Sequence, residues 1–232
     1  MRSEYDVPFH IRAFRTTFRP IFRGLFHLLG QVRIYGLENV PKDGPYLIAI
    51  NHVSLYEPPF ILAFWPIAPE AVGAVDIWQR RGQATLARLY GGIPVHRGEY
   101  DRQLIKKTQA VLRSGKPLLI APEGGRTHTP GMRRALPGAA FIVEKADVPV
   151  VPVGIVGASD DFLQKALRGM RPRLEIRIGE PIRLSYKNVE GESRGETRQR
   201  NADLIMEHIA RLVPAEYRGV YADYVNDPQT TF

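Results

Sequence analysis

Asn51-His52-Val53-Ser54-Leu55-Tyr56-Glu57 places an imidazole five positions before a carboxylate, directly after the apolar run Tyr46–Asn51. A histidine held by a carboxylate is a general base at neutral pH, because the acid fixes its tautomer. Within one helix, residues five apart stand about 140° from one another around the axis, so these two meet only across a turn. A strand, a polar turn and a helix starting at Pro58 supply that turn. Taken alone, the segment is more simply a loop histidine beside a capping glutamate. A second stretch, Gly91–Gly98, puts Arg97 at the end of a short strand. A third, Ala121-Pro122-Glu123-Gly124-Gly125-Arg126-Thr127, pairs two glycines, which let the backbone approach a ligand, with an arginine that can grip phosphate two-pronged. A fourth, Val148–Val153, is an apolar strand; plain core is its ordinary role, and a slot lining the sharper one.

The elements that must position these groups alternate. Strand patterns fall at Tyr46–Asn51, Ala71–Ile77, Gly92–His96, Pro117–Ala121, Val148–Val156, Leu174–Ile178 and Pro181–Leu184. Helix patterns fall at Pro58–Phe64, Gln83–Tyr90, Arg102–Arg113, Gly138–Asp147 and about Glu196–Leu212. Such alternation predicts a single α/β domain, a mixed but mainly parallel sheet covered by helices. Catalytic groups in such sheets gather at the carboxyl ends of the strands, where His52, Arg97 and Arg126 all sit. The division predicted is an N-terminal helical anchor over 1–32, the main domain over 33–215 and a tail over 216–232.

The N-terminal segment Ile11–Leu29 reads as a two-faced helix. Arg12, Arg15, Arg19 and Arg23 form one stripe; Phe14, Phe18, Ile21, Phe22, Leu25, Leu28 and Leu29 fall opposite. Pro20 is expected to kink or divide it. Its aromatic face either docks on its own domain or lies in a membrane interface with arginines toward headgroups, each adding about 1 kcal/mol near an anionic leaflet. The chain has no apolar run of the ~18 residues that a spanning helix needs and no signal-peptide pattern.

Composition narrows the chemistry. Of 232 residues 44% are apolar, enough for one substantial core, and 24% are charged, which excludes wholesale disorder. With no cysteine there is no disulfide, thiolate metal site or cysteinyl acyl-enzyme. The excess of 32 Lys+Arg over 24 Asp+Glu, a net +8, suits a polyanionic partner.

Together the four stretches resemble the glycerolipid acyltransferase family, the lysophosphatidic-acid acyltransferase (PlsC-like) enzymes. The family's blocks, NHxSxxDP, a Gly-x-x-x-x-x-Arg block, EGTRS and VPVVPV, stand here in order as NHVSLYEP, GGIPVHR, EGGRT and VPVVPV over roughly residues 33–160. The resemblance implies that His52 deprotonates an acceptor hydroxyl that attacks an acyl thioester directly, with Glu57 polarising His52. It implies that Arg97 and Arg126 bind the acceptor's phosphate in a pocket shaped by Glu123, Gly124 and Gly125. Val150, Val151 and Pro152 would line the acyl-donor side. The implied reaction acylates the 2-hydroxyl of 1-acylglycerol 3-phosphate to phosphatidic acid, with acyl-CoA or acyl-carrier protein as donor, and with no metal or other cofactor. The implied partners are an anionic membrane surface, the donor and a lysophospholipid, with no nucleic acid; the implied location is peripheral, at the cytoplasmic face. On this resemblance the interfacial reading of the N-terminal helix is preferred.

Three positions depart from the pattern. Glu57 replaces the usual Asp, Gly125 and Thr127 replace Thr and Ser of EGTRS, and Leu136-Pro137-Gly138 lies where many relatives carry a Lys before the Gly, a charge that Arg133 or Arg134 would have to supply. Competing readings remain. A serine hydrolase using Ser54 lacks the G-x-S-x-G elbow, since Gly157–Asp161 fails at the last glycine. A metal hydrolase lacks an HExxH or similar cluster. A basic membrane- or nucleic-acid-binding module is allowed by charge alone. Within the family, another lysophospholipid, glycerol 3-phosphate or an amino-lipid is an alternative acceptor.

Overall fold

The computed structural model describes residues 5–96, 101–127, 131–186 and 191–225. Among the described residues seven strands form one sheet: β1 (Gln31–Tyr35), β2 (Leu47–Ile50), β3 (Glu70–Ala74), β4 (Ile93–Val95), β5 (Leu118–Ile120), β6 (Val150–Val156) and β7 (Arg173–Ile178). Their spatial order is β1-β7-β6-β2-β5-β3-β4. All neighbours run parallel except β6 and β7. α1 (Phe9–Leu29) precedes the sheet, and the helices between strands are α2 (Glu57–Phe64), α3 (Gln83–Tyr90), α4 (Arg102–Arg113), α5 (Gly138–Ala146) and α6 (Phe162–Leu167). After the sheet come α7 (Arg194–Leu212), α8 (Ala215–Arg218) and α9 (Ala222–Val225). Local chemistry sets several of these starts. Asp101 caps α4 by accepting from the N–H groups of Gln103 and Leu104, and Ser193 with Glu196 forms a reciprocal cap on α7.

Every residue of β2 is buried, the expected state of a central parallel strand covered on both faces. The two-residue period divides the core. Ile48, Ile50, Val151, Val153 and Ile155 face α1, α2 and Phe162 of α6, whereas Leu47, Ala49 and Val150 face α4, α5 and α7. Ile50 lies beside Val153, and Ala49 beside Ile120, so the carboxyl ends of β2, β5 and β6 meet at one end of the sheet.

Several boundaries differ from expectation. β1 is not among the predicted strands; its residues alternate between exposed and half-buried at the sheet edge, and the expected limit at 32 falls inside it. Nor is α6 among the predicted helices, being only six residues long. The strand predicted over 71–77 gives way to a 3-10 turn at Val75, and Pro181–Leu184 contributes one isolated bridge, Ile182 to Val150. Packing continues beyond the limit drawn at 215. Tyr221 is buried, its hydroxyl bonding Asp203 and the Ala135 N–H, and Met132 and Tyr217 bond through their backbones.

The N-terminal helix departs most from its predicted orientation. It runs through Pro20 as one element, with that residue on the exposed side. The Phe14–Phe18–Phe22–Phe26 row faces the domain, and Phe26 packs on Phe60, Phe64 and Phe162 at 4.9–6.3 Å between ring centroids. The arginine stripe also turns inward rather than toward headgroups. Arg15 grips Glu70 through two N–H···O bonds of 2.6 and 2.7 Å, and its Nε donates to the Tyr90 carbonyl. Arg19 donates to the Trp65 and Pro66 carbonyls, and Arg23 to that of Ala63. These carbonyls close α2, where the helix leaves them without internal partners. Only Arg12 of the stripe is exposed, and Ile21, Leu25 and Leu28 are left on an open flank.

Candidate active site

His52 follows β2 by two residues, and its position is fixed three times. Its Nδ1 lies 2.9 Å from Glu57 Oε2. Its backbone N–H donates to Glu123 Oε1 at 2.8 Å, and its carbonyl accepts the Thr127 N–H at 3.2 Å. The first and third sequence blocks therefore hold one residue between them. Asn51 adds a fourth support. Fully buried, it accepts from the Ile155 N–H and donates to the Ile155 carbonyl, extending the β2–β6 ladder with its side chain.

Glu57 is the first residue of α2 and is almost fully enclosed, its side chain 1% exposed against 15% for the imidazole. The turn between Asn51 and Glu57 brings the carboxylate back so that Oε2 also accepts the N–H groups of Val53 (2.8 Å) and Ser54 (3.1 Å). Burial pushes the Glu57 carboxyl up, against the imidazole and the two backbone donors, which pull it down. The helix N-terminus adds a favourable field for the charge. With Glu57 ionised, Nδ1 carries the ring proton and Nε2 presents its lone pair; among the described residues Nε2 has no partner. That is the arrangement of a general base with its tautomer fixed.

Glu123 is buried, and burial raises its carboxyl to about 7, while the N–H groups of Arg133 and His52 pull the other way. Both oxygens accept backbone N–H bonds, Oε2 from Arg133 at 2.9 Å, so it shapes the site through the loops it pins. Gly124 has φ +67°, and a Cβ there would lie 2.4 Å from Leu136 Cδ1, which explains a glycine directly after Glu123. Gly125 is buried in the same turn.

Arg126 lies between these turns, its side chain 12% exposed and its Nη1 3.6 Å from Asp160 Oδ1. Asp160 also accepts the Leu55 N–H at 3.4 Å, tying the loop before α6 to the His52 turn. Nothing in the residue pattern around Asp160 marks it for this position. Arg97 lies outside the described residues. Val95, ending β4, is at the same end of the sheet but three strands from β2, roughly 14 Å at normal strand spacing. Arg134 does not supply the missing lysine charge, because it pairs with Asp203 on α7 at 3.2 Å.

Two expectations are corrected. Val150 and Val151 are 0% exposed and begin β6 at the end remote from His52, so they are core rather than an acyl-donor lining. Pro152 is likewise buried, its carbonyl accepting the Gly179 N–H. The part of this strand that reaches the site is its far end, from Ile155 onward. Ser54 does not offer a nucleophile, since it is fully buried, its hydroxyl donating to the Ala158 carbonyl and accepting from the Tyr56 N–H.

The family model described as Acyltransferase matches residues 31–156. The 1-acyl-sn-glycerol-3-phosphate acyltransferase alpha of Bos taurus is 27% identical over 160 residues, 66% of this chain and 54% of that protein. The 1-acyl-sn-glycerol-3-phosphate acyltransferase of Bacillus subtilis (strain 168) is 24% identical over 161 residues, 68% of this chain and 77% of that protein. The chain spans about half the length of the mammalian relatives it matches. The crystal structure of the acyltransferase PlsC from Thermotoga maritima has a similar fold, with TM-score 0.60 and 22% identity over 87% of this chain and 81% of that one.

Proposed function

The chain belongs to the Acyltransferase family, and on that premise we propose that it acylates the 2-hydroxyl of 1-acylglycerol 3-phosphate, giving phosphatidic acid. The observation that carries this reading is the His52–Glu57 pair, 2.9 Å apart, with the histidine backbone clamped by Glu123 and Thr127. The names of the relatives support the acceptor and the reaction class. Nε2 of His52 takes the proton of the acceptor hydroxyl as its oxygen attacks the thioester carbonyl of acyl-CoA or acyl-carrier protein. The tetrahedral oxyanion then collapses, the C–S bond breaks, and the imidazolium returns its proton to the leaving thiolate. Glu57 holds the ring and stabilises its transient charge.

Arg126, with Arg97, binds the acceptor phosphate. At 3.6 Å the Asp160 carboxylate is beyond direct hydrogen-bond distance, and a phosphate dianion outcompetes it for the guanidinium. Among the described residues no helix is long and apolar enough to cross a membrane. The open flank Ile21, Leu25 and Leu28 of α1, rather than its arginine stripe, rests on the cytoplasmic leaflet.

The deciding experiment is a product screen with purified protein, acyl-CoA and acyl-carrier-protein donors, and a panel of lysolipids, glycerol 3-phosphate and amino-lipids. Phosphatidic acid as the main product supports the reading; preferential acylation of another acceptor replaces it, and lipid hydrolysis without an acceptor overturns it. Arg126→Ala should raise KM for a phosphorylated acceptor about ten-fold or more. An equal rise with a phosphate-free acceptor would contradict its role.

A further inference from the structure

The segment 162–173, comprising α6 and its turn into β7, carries large apolar and cationic side chains that the proposed chemistry does not use. Phe162 anchors it, buried against Phe26 and Tyr56. The other large apolar residues point outward, with Leu167 75% and Met170 61% exposed and Leu163 partly so. Leu167 at the end of α6 and Met170 in the turn after it thus leave most of their apolar surface unburied by the domain. Arg168, Arg171 and Arg173 are exposed around them, and among the described residues none pairs with a carboxylate. The nearby Asp161 is already engaged by Lys165 at 2.8 Å.

The placement of this segment gives it meaning. It leaves β6 at the carboxyl end, where His52 stands, and re-enters the sheet at Arg173, opposite Gln31 of β1. Arg171 donates to the carbonyls of His27 and Gly30, fastening the segment to the last turn of α1. That last turn carries Leu28, 72% exposed, with Leu25 and Ile21 along the same flank. On the other side Asp160, two residues before α6, holds the Leu55 N–H of the His52 turn. Exposed apolar groups therefore border the catalytic end of the sheet from α1 to the His52 loop.

We propose that segment 162–173 is a second docking element, which seats on an anionic lipid surface and turns the His52 end of the sheet toward the bilayer. Leucine and methionine side chains enter the acyl boundary, and the exposed guanidinium groups of Arg168 and Arg173 meet lipid phosphates. An acidic carrier protein would satisfy the arginines but leave these apolar side chains without partners, so the lipid surface is the occupant favoured. The inference rests on the lipid-acylating reading for its purpose, though vesicle binding does not require turnover.

The test uses the full chain and vesicles of phosphatidylcholine with about 30% phosphatidylglycerol. Leu167→Ser/Met170→Ser and, separately, Arg168→Gln/Arg173→Gln are measured beside the parent; Arg171 is left intact because it caps α1. Both variants should keep the parental melting temperature and the parental turnover of a short-chain, monomeric acceptor. Each should lose about ten-fold or more in vesicle affinity, and turnover of vesicle-borne acceptor should fall in parallel. The arginine variant should lose its effect on purely zwitterionic vesicles. Unchanged vesicle affinity in both variants overturns the proposal. So does a loss confined to carrier-protein-dependent turnover, which would assign the surface to the carrier. If the parent transfers no acyl group at all but its vesicle binding still depends on these residues, the docking element stands and the proposed function falls.

Discussion

Two buried contacts between a nitrogen side chain and a carboxylate look alike in this protein and differ in what they leave open. Arg15 and Glu70 are 7% and 1% exposed, and the contact is closed: all three guanidinium nitrogens have partners, and Tyr5 adds a hydroxyl to Glu70 Oε2. Burial works against the Arg15 charge, and its bonds to Glu70 outweigh this, leaving the guanidinium pKa above its usual value. The His52–Glu57 contact is as deep on the acid side but open on the base side, with the carboxylate saturated and one ring nitrogen unpartnered. A closed pair fixes α1 to β3. The open pair leaves one ring nitrogen accessible, as the proposed general-base role of His52 requires. The residue types alone do not distinguish the two; the count of satisfied donors does.

The largest effect expected from breaking the open pair is on rate. His52→Ala should lower kcat by about 10²–10⁴-fold with an unchanged melting temperature. Parental turnover would remove His52 as the base. Breaking the closed pair should do the reverse. Arg15→Ala should cost about 3–5 kcal/mol in chemical denaturation, because it strands a buried carboxylate, and should leave kcat of the folded protein near parental at low temperature. The double change Arg15→Met/Glu70→Leu should recover much of that loss; if it is no more stable than the single variant, desolvation is not the governing cost. By the same contacts, removal of residues 1–30 should unfold the domain rather than merely release it from vesicles, as loss of the cooperative transition would show.

Glu123 tests whether the scaffold behind the open pair is itself titratable. Its folded carboxyl sits at about 7, above its unfolded value, so the folded state holds the proton more tightly. Its contribution to stability is therefore full below about pH 4.5 and is lost as pH rises through about 7, by up to about 3 kcal/mol. Denaturation curves at pH 5 and 8 should show this difference in the parent and a smaller one in Glu123→Gln. Identical pH dependence in both would mean that the carboxyl titrates normally. The smallest change expected is Glu57→Asp. It keeps charge and acceptors but draws the carboxylate back by one methylene, and should lower kcat about ten-fold, whereas loss of the fold would show that Oε2 mainly serves the Val53 and Ser54 N–H groups.

Much of this was legible along the chain. The spacing of His52 and Glu57, the strand before them and Pro58 after them predicted a turn that closes the pair. The limits of α3 and α4 followed from their apolar periods and flanking residues, and the family model covers nearly the stretch over which the four blocks were seen. What escaped had physical reasons. β1 alternates too weakly to stand out at an edge, and α6 is too short to show a period. The valines of the fourth block read as a possible lining because hydrophobicity does not say which end of a strand faces a ligand.

The sequence by itself determined the alternation of strands and helices from β2 to α7, α6 excepted, and the turn that brings His52 to Glu57, since these depend on residue type and short-range spacing; folding added the bracing of His52 by Glu123 and Thr127. Only the tertiary structure decided which way α1 turns. Its phenylalanine and arginine rows lie side by side on one broad face, and either face satisfies the helix period. The choice was made by groups 40 to 75 residues away: the Glu70 carboxylate, the Tyr90 carbonyl and the carbonyls closing α2, which accept the arginines and leave leucines outside.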